Sequence, residues 1–147
     1  MKVVLQRVKK ASVEIKGEVH CRIDQGVCLL VGVEKGDTLD EADRVANKIV
    51  DLRIFPDVQG KMNLSLLDIG GEVLAVSQFT LAGSTAKGRR PSFDKAEEPH
   101  LAESIFDSFV QKMKDRGLEV EKGVFGALMD VCMINDGPVT FILSSAG

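Results

Sequence analysis

The sequence predicts an α+β fold: a compact, barrel-like, mostly antiparallel sheet with two main helices. Three observations carry this expectation. Short β-branched and apolar runs follow one another with turn residues between them rather than helices. Two stretches alone, near residues 38–51 and 99–116, repeat their apolar residues at helical spacing. A doubly wound α/β chain would instead alternate strand and helix throughout. The 147 residues read as a single domain, 1–147, long enough to bury a substantial core.

In order, residues 2–9 read as a strand and 11–15 as another, with Lys16-Gly17-Glu18 turning into a strand over 19–24. Residues 26–33, GVCLLVGV, form a short apolar run expected to be a strand buried on both faces. Thr38 and Glu41 make a capping box, in which hydroxyl and carboxylate each satisfy a free backbone N–H at a helix start. Ala42, Val45, Ala46, Ile49 and Val50 then give that helix one apolar face. A short strand over 52–55 is stopped by Pro56, residues 65–69 lead to Gly70-Gly71, and a central strand is expected over 73–81. Pro99 suits the first turn of the second helix, where a missing N–H costs little, and Gly117 suits its end. Strands over 118–121, 127–134 and 139–144 complete the chain, with Asn135-Asp136-Gly137-Pro138 expected as a turn between the last two.

Composition narrows the function classes. A hydrophobic fraction of 44% with 28% charged residues is that of a soluble globular protein. No apolar run is long enough to span a bilayer, and residues 1–7 lack a signal core, so a cytoplasmic protein is expected. Cys21, Cys28 and Cys132 are widely spaced, and His20 and His100 lie far apart. No zinc pattern results, so neither metal nor cofactor is expected, and the thiols are read as free in a reducing compartment. The net charge of −3 argues against a uniformly cationic surface, but local basic clusters can still hold phosphates.

The stretch 73–93, VLAVSQFTLAGSTAKGRRPSF, carries the chemistry. It delivers Ser77, Gln78 and Thr80 beside small residues and the cationic cluster Lys87, Arg89 and Arg90. That pattern fits a site for a polar, anionic ligand, and it equally fits an edge strand followed by a solvated loop. No GxSxG elbow is present, and neither histidine lies in a triad context. Thr80 is a weak nucleophile without a base, so any catalysis would rest on positioned backbone N–H groups and a reactive group of the substrate. Gly137-Pro138 reads either as a tight turn or as a side-chain-free recognition device, because Gly permits unusual backbone angles.

Several blocks in order carry a resemblance. These are Leu5-Gln6-Arg7-Val8, Gly32 to Asp37 (GVEKGD), Leu52-Arg53-Ile54-Phe55, Gly60 to Ser65 (GKMNLS), Ser77 to Leu81 (SQFTL), Lys87 to Phe93 (KGRRPSF) and Asn135 to Thr140 (NDGPVT). Together they resemble the D-aminoacyl-tRNA deacylase family over essentially the whole chain. The resemblance implies a homodimer that hydrolyses the ester between a D-amino acid and the terminal adenosine of tRNA; glycine, which has no Cβ for a rigid backbone wall to strike, is expected to be accepted as well. It implies that Gln78, Phe79 and Thr80 supply the catalytic segment, with Ser77 on the pocket wall. It implies a Gly137–Pro138 element, cis in the family, reaching into the partner subunit's pocket, with Arg7 supporting it and Met129 on the strand leading to it. Lys87, Arg89 and Arg90 would hold RNA. Ala82-Gly83-Ser84 replaces a bulkier segment of the family. Two other functions share these residues: an RNA-binding module without chemistry, and a hydrolase of small D-aminoacyl esters.

Overall fold

The computed structural model describes residues 1–146. The fold is organised around its first strand, β1 (Lys2–Ile15), which runs unbroken for 14 residues where two strands were expected. Lys9 and Lys10 are exposed and interrupt the apolar alternation, but the backbone continues through them with bulges opposite the last strand. The bulges change which face is buried. Val3 and Leu5 pack on one side of the sheet, whereas Val8, Ala11 and Val13 pack on the other.

On one edge, β1 pairs antiparallel with β2 (Glu18–Ile23) through its second half and with β3 (Gly26–Gly32) through its first. Its other edge pairs antiparallel with the final strand, β8 (Asp130–Ser144). Beyond β3 the sheet becomes parallel: β6 (Glu72–Ser77) pairs with β3, and β7 (Glu119–Lys122) pairs with β6. The sheet is therefore mixed rather than mostly antiparallel. The reason is the pair of long connections, each of which carries a helix over the same face. The first holds α1 (Leu39–Asp51), the small hairpin of β4 (Phe55–Pro56) and β5 (Met62–Leu64), and the one-turn α2 (Leu66–Ile69); the second holds α3 (Pro99–Asp115). Helix α2 is a third helix where a plain lead-in was expected. Its Ser65–Asp68 capping box nucleates the turn, and Gly70 in the left-handed region ends it.

The capping box of α1 is present as expected, with Glu41 N donating to Thr38 Oγ1 at 3.2 Å and Thr38 N to Glu41 Oε2 at 3.0 Å. Helix α3 starts on Glu98, whose carboxylate accepts from His100 N and Leu101 N, with Pro99 in the first turn. The two helices pack together and are tied by Arg116, which donates to Asn47 Oδ1 at 2.9 Å and Asp51 Oδ1 at 2.6 Å.

Between helices and sheet lies the larger core, with Val45, Ile49, Phe106, Phe109 and Met113 set against Leu5, Leu29, Val31 and Val73. Burying each such side chain is worth about 1.5–3 kcal/mol. The opposite face holds a second cluster, Val8, Ala11, Val13, Ile23, Cys28, Leu74 and Val76. Strands β3 and β6 contribute to both clusters, which is why their sequences are apolar without alternation. Strand β2 curls toward β7, where Cys21 Sγ donates to Lys122 O at 3.5 Å, so the sheet approaches a barrel. One edge of β8 stays unpaired, and Ile134, Phe141 and Ile142 of this strand are exposed.

Candidate active site

The strand expected over 73–81 ends at Ser77. Gln78 N still donates to Val31 O at 2.7 Å, but β3 ends at Gly32, and no ladder remains to continue the strand. The chain closes instead into a 3₁₀ turn, Phe79–Ala82, in which Leu81 N donates to Gln78 O and Gly83 N to Thr80 O. Gly32 permits this. A Cβ there would lie 2.8 Å from Leu81 Cβ and 2.9 Å from Gln78 O, so the turn rests directly on the main chain of β3.

The turn exposes Phe79 and Thr80. The first N–H groups of such a turn have no partner inside it, and Gln78 supplies no side-chain cap. The Phe79 and Thr80 N–H groups are consequently free to meet a ligand oxygen. Gln78 Nε2 donates to Thr80 Oγ1 at 2.6 Å, fixing the hydroxyl, and no acid or base side chain bonds to that oxygen among the described residues. Thr80 thus lacks the partner that would make it a nucleophile. Phe93 flanks the turn, with its ring 5.2 Å from that of Phe79 in an edge-to-face arrangement, and it packs on Gly83.

Ser84 and Ser92 exchange backbone hydrogen bonds of 2.7 and 2.8 Å, pinching off the loop between them. Lys87, Arg89 and Arg90 stand on that loop, all exposed and none ion-paired among the described residues. A cavity of 260 Å³ between this loop and Ala82 is lined by Ser84, Lys87, Ser92 and Lys95, with the Asp94 carboxylate among them.

The segment 135–138 is a bulge inside β8 and not a turn between two strands. Val8 faces Asn135 and Gln6 faces Thr140, so four residues of β8, 136–139, stand opposite Arg7 alone. The Gly137–Pro138 peptide is cis, the form the resemblance implies. Arg7 is buried beneath this bulge. Its Nη1 donates to Ile54 O at 2.6 Å, and its Nε donates to Asp136 O at 3.1 Å and pairs with Asp136 Oδ2 at 3.2 Å. Asn135 and Gly32, neither foreseen as site residues, shape the bulge and the Phe79–Ala82 turn respectively. Asn135 Nδ2 donates to Arg7 O at 3.1 Å and Val139 O at 3.2 Å.

Met129 packs onto the second cluster, with its Sδ occupying the space where a Cβ on Gly123 would sit. It stands just before the start of β8, whereas Gly137 lies in the bulge at the middle of that strand. The Phe79–Thr80 turn and Gly137–Pro138 also lie apart. Three strand spacings and about four residues of rise separate them, on the order of 20 Å along the sheet of one protomer. No group of His, Cys, Asp and Glu is placed to hold a metal among the described residues. No helix is long and apolar enough to cross a membrane among those residues.

Comparison with known proteins agrees with this architecture. Residues 4–144 match the family described as D-Tyr-tRNA(Tyr) deacylase. A D-aminoacyl-tRNA deacylase of Geotalea uraniireducens (strain Rf4) is 56% identical over 145 residues, covering 99% of this chain and 94% of the relative. One of Aquifex aeolicus (strain VF5) is 52% identical, covering 99% and 98%. Among solved structures, the c-Myc DNA unwinding element binding protein superposes with a TM-score of 0.92 at 41% identity, covering 98% of each chain. A second solved chain, of eukaryotic origin, shares the fold at a TM-score of 0.82 and 17% identity, covering 97% of each chain. The mixed near-barrel sheet, the base-free turn at Phe79–Thr80 and these matches lead to one assignment: the chain belongs to the D-Tyr-tRNA(Tyr) deacylase family.

Proposed function

We propose that this protein hydrolyses the ester of D-aminoacyl-tRNA, releasing free D-amino acid and tRNA, with Phe79 and Thr80 as the ester-binding segment. The observation that carries the reading is a pair of uncapped main-chain donors on a turn with no base beside it. The ester carbonyl oxygen accepts from these N–H groups as it gains charge, a kind of interaction worth ~10²–10³-fold in rate per donor. The neighbouring 2′-hydroxyl of the terminal ribose orients the attacking water, and the 3′-oxygen leaves with a proton. Ser77 and Gln78 hold the turn's shape, Lys87, Arg89 and Arg90 hold the tRNA backbone, and the work belongs in the cytoplasm with translation.

The main chain of Gly137 and Pro138 supplies chirality. Their carbonyl oxygens accept from the substrate's amino group, leaving Cα one free direction for its side chain. An L side chain would drive Cβ into main chain that cannot rotate away, and discrimination of ~10³-fold needs only about 4 kcal/mol. Glycine has no Cβ to strike that wall, so glycyl-tRNA is also cleaved. Because Gly137–Pro138 lies far from Thr80 within one protomer, it acts in the site of a second copy, and the enzyme is a homodimer. The unpaired β8 edge with exposed Ile134, Phe141 and Ile142 supports that pairing. Met129 joins this substrate pocket, and Arg7 fixes the wall.

Deacylation of D-, glycyl- and L-aminoacyl esters on one matched tRNA tests the reading. The first two are cleaved and the third is spared, and a tRNA ending in 2′-deoxyadenosine reacts ~10²-fold more slowly. Rapid L-ester cleavage removes the wall, and equal rates on the deoxy substrate remove the hydroxyl. A nucleic-acid-binding role without chemistry is the second reading, favoured by the Lys87, Arg89 and Arg90 side chains, which are not ion-paired among the described residues, and by the DNA-binding name of the 41% identical protein. Binding of tRNA with no ester release would select it. Preference for a free D-amino-acid ester over D-aminoacyl-tRNA would select small-ester hydrolysis.

A further inference from the structure

We infer that Asn135 is a positioning residue that sets the pose of the Gly137–Pro138 main chain and, through it, the D-over-L selectivity. The inference rests on the reading of Gly137–Pro138 as the chirality wall. In the ordinary ladder, the carbonyls of Arg7 and Val139 would each accept from a facing backbone N–H. The bulge removes that regular pairing, since 136–139 stand opposite one residue of β1. Asn135 replaces it. Its single carboxamide nitrogen donates to Arg7 O on β1 and to Val139 O on the far side of the bulge. The two ends of the looped-out segment are thereby joined to each other and to the neighbouring strand.

The same side chain also explains a requirement for glycine. A Cβ at Gly137 would lie 2.6 Å from Asn135 Oδ1, so the carboxamide fills the space that any other residue at 137 would need. Arg7 grips the segment at its other bonded carbonyl, Asp136 O. The wall is thus clamped between a guanidinium and a carboxamide, both bonded to main chain. Unlike Arg7, Asn135 touches Val139, the residue just beyond Pro138, and so controls how far the segment projects from the strand.

Asn135→Asp tests this, because it keeps the shape of the side chain but replaces the donor with an oxygen facing two carbonyls. Asn135→Ala is the companion that removes both interactions without adding charge. Two readouts are taken on each folded variant: the backbone amide shifts of Asp136, Gly137 and Val139, and the ratio of L- to D-aminoacyl-tRNA cleavage. The expected result is displaced amide shifts together with a ratio that relaxes about tenfold, the scale of one lost hydrogen bond to a constrained group. A merely structural role would lower both cleavage rates together and leave their ratio unchanged. Unmoved amide shifts would overturn the tether itself. Displaced shifts with an intact ratio would overturn the link to selectivity, and would locate the failure in the chirality reading of Gly137–Pro138 rather than in the tether.

Discussion

Replacing Gly32 by Ala should disable the enzyme while leaving it folded. The added Cβ would meet Leu81 Cβ at 2.8 Å and Gln78 O at 2.9 Å. Comfortable separation of carbon atoms is about 3.5–4.0 Å, so the Phe79–Ala82 turn must retreat by about 0.7–1.2 Å. Gln78 N is held to Val31 O at 2.7 Å, so the retreat rotates the turn about that bond and carries the Phe79 and Thr80 N–H groups away from the proposed ester position. A displacement of about 1 Å in a positioned group costs on the order of 10²-fold in rate. Overpacking of this kind destabilises by about 1–3 kcal/mol, or roughly 2–10 °C in melting temperature for a chain of this size. Single-turnover deacylation well below the melting point separates the two effects. Gly17→Ala is the control: its φ of +79° makes Ala strained, but nothing lies within 4 Å of the new Cβ. It should lose about 1–2 kcal/mol of stability and keep its rate. A folded Gly32→Ala enzyme within about threefold of the parent rate would refute the claim that the turn's position governs catalysis.

Two further outcomes are expected. Replacing Lys87, Arg89 and Arg90 together by Ala should weaken tRNA binding without changing the rate at saturation, and should reduce the slope of log affinity against log salt by roughly 2–3, read from a salt titration. Burial pushes the Cys28 thiol from about 9 up to about 12, so the stability tied to the neutral thiol is fully present below pH 9 and is lost as pH rises toward 12. Near neutral pH, alkylation of Cys28 should proceed only at the rate of unfolding, and rapid labelling of the native protein would contradict the burial.

What was legible in the sequence was local. The capping box of Thr38 and Glu41, the apolar face from Ala42 to Val50, Pro99 at a helix start and the doubly buried strand β3 each follow from residues within a few positions of one another. The misreadings share one cause, a partner distant in sequence. Lys9 and Lys10 looked like a strand break, but β1 is held through them by β8, more than a hundred residues later. The parallel pairing of β3 with β6 depends on where a 39-residue connection, 33–71, returns the chain. Asn135-Asp136-Gly137-Pro138 has the composition of a turn, and it is a bulge because Arg7 lies opposite to grip it. The same holds for the site. Ser77, Gln78 and Thr80 stand out as polar residues at the end of an apolar strand, and Phe79 came in only with the family resemblance, whereas Gly32 matters only through a turn some 46 positions away. Its signal was a glycine where a buried strand should place a side chain.

The Phe79–Ala82 turn and the 136–139 bulge are referenced to one core. Val31, which anchors Gln78, is fully buried in the helix-side cluster. Ile54, whose carbonyl receives Arg7, lies in the same cluster beside Phe55. Arg7 therefore does more than neutralise Asp136. Its planar fork joins the bulge to a main-chain carbonyl that the core holds still, a geometry that a lysine ammonium on its flexible stem would not reproduce. A site built from main chain gains precision this way, since backbone has no rotamers and packed interiors yield little. It also explains why so few conventional catalytic side chains occur. The groups proposed to select and polarise the substrate are peptide N–H and C=O, and the side chains around them, Gly32 by its absence and Arg7 and Asn135 by their hydrogen bonds, decide where those peptides stand.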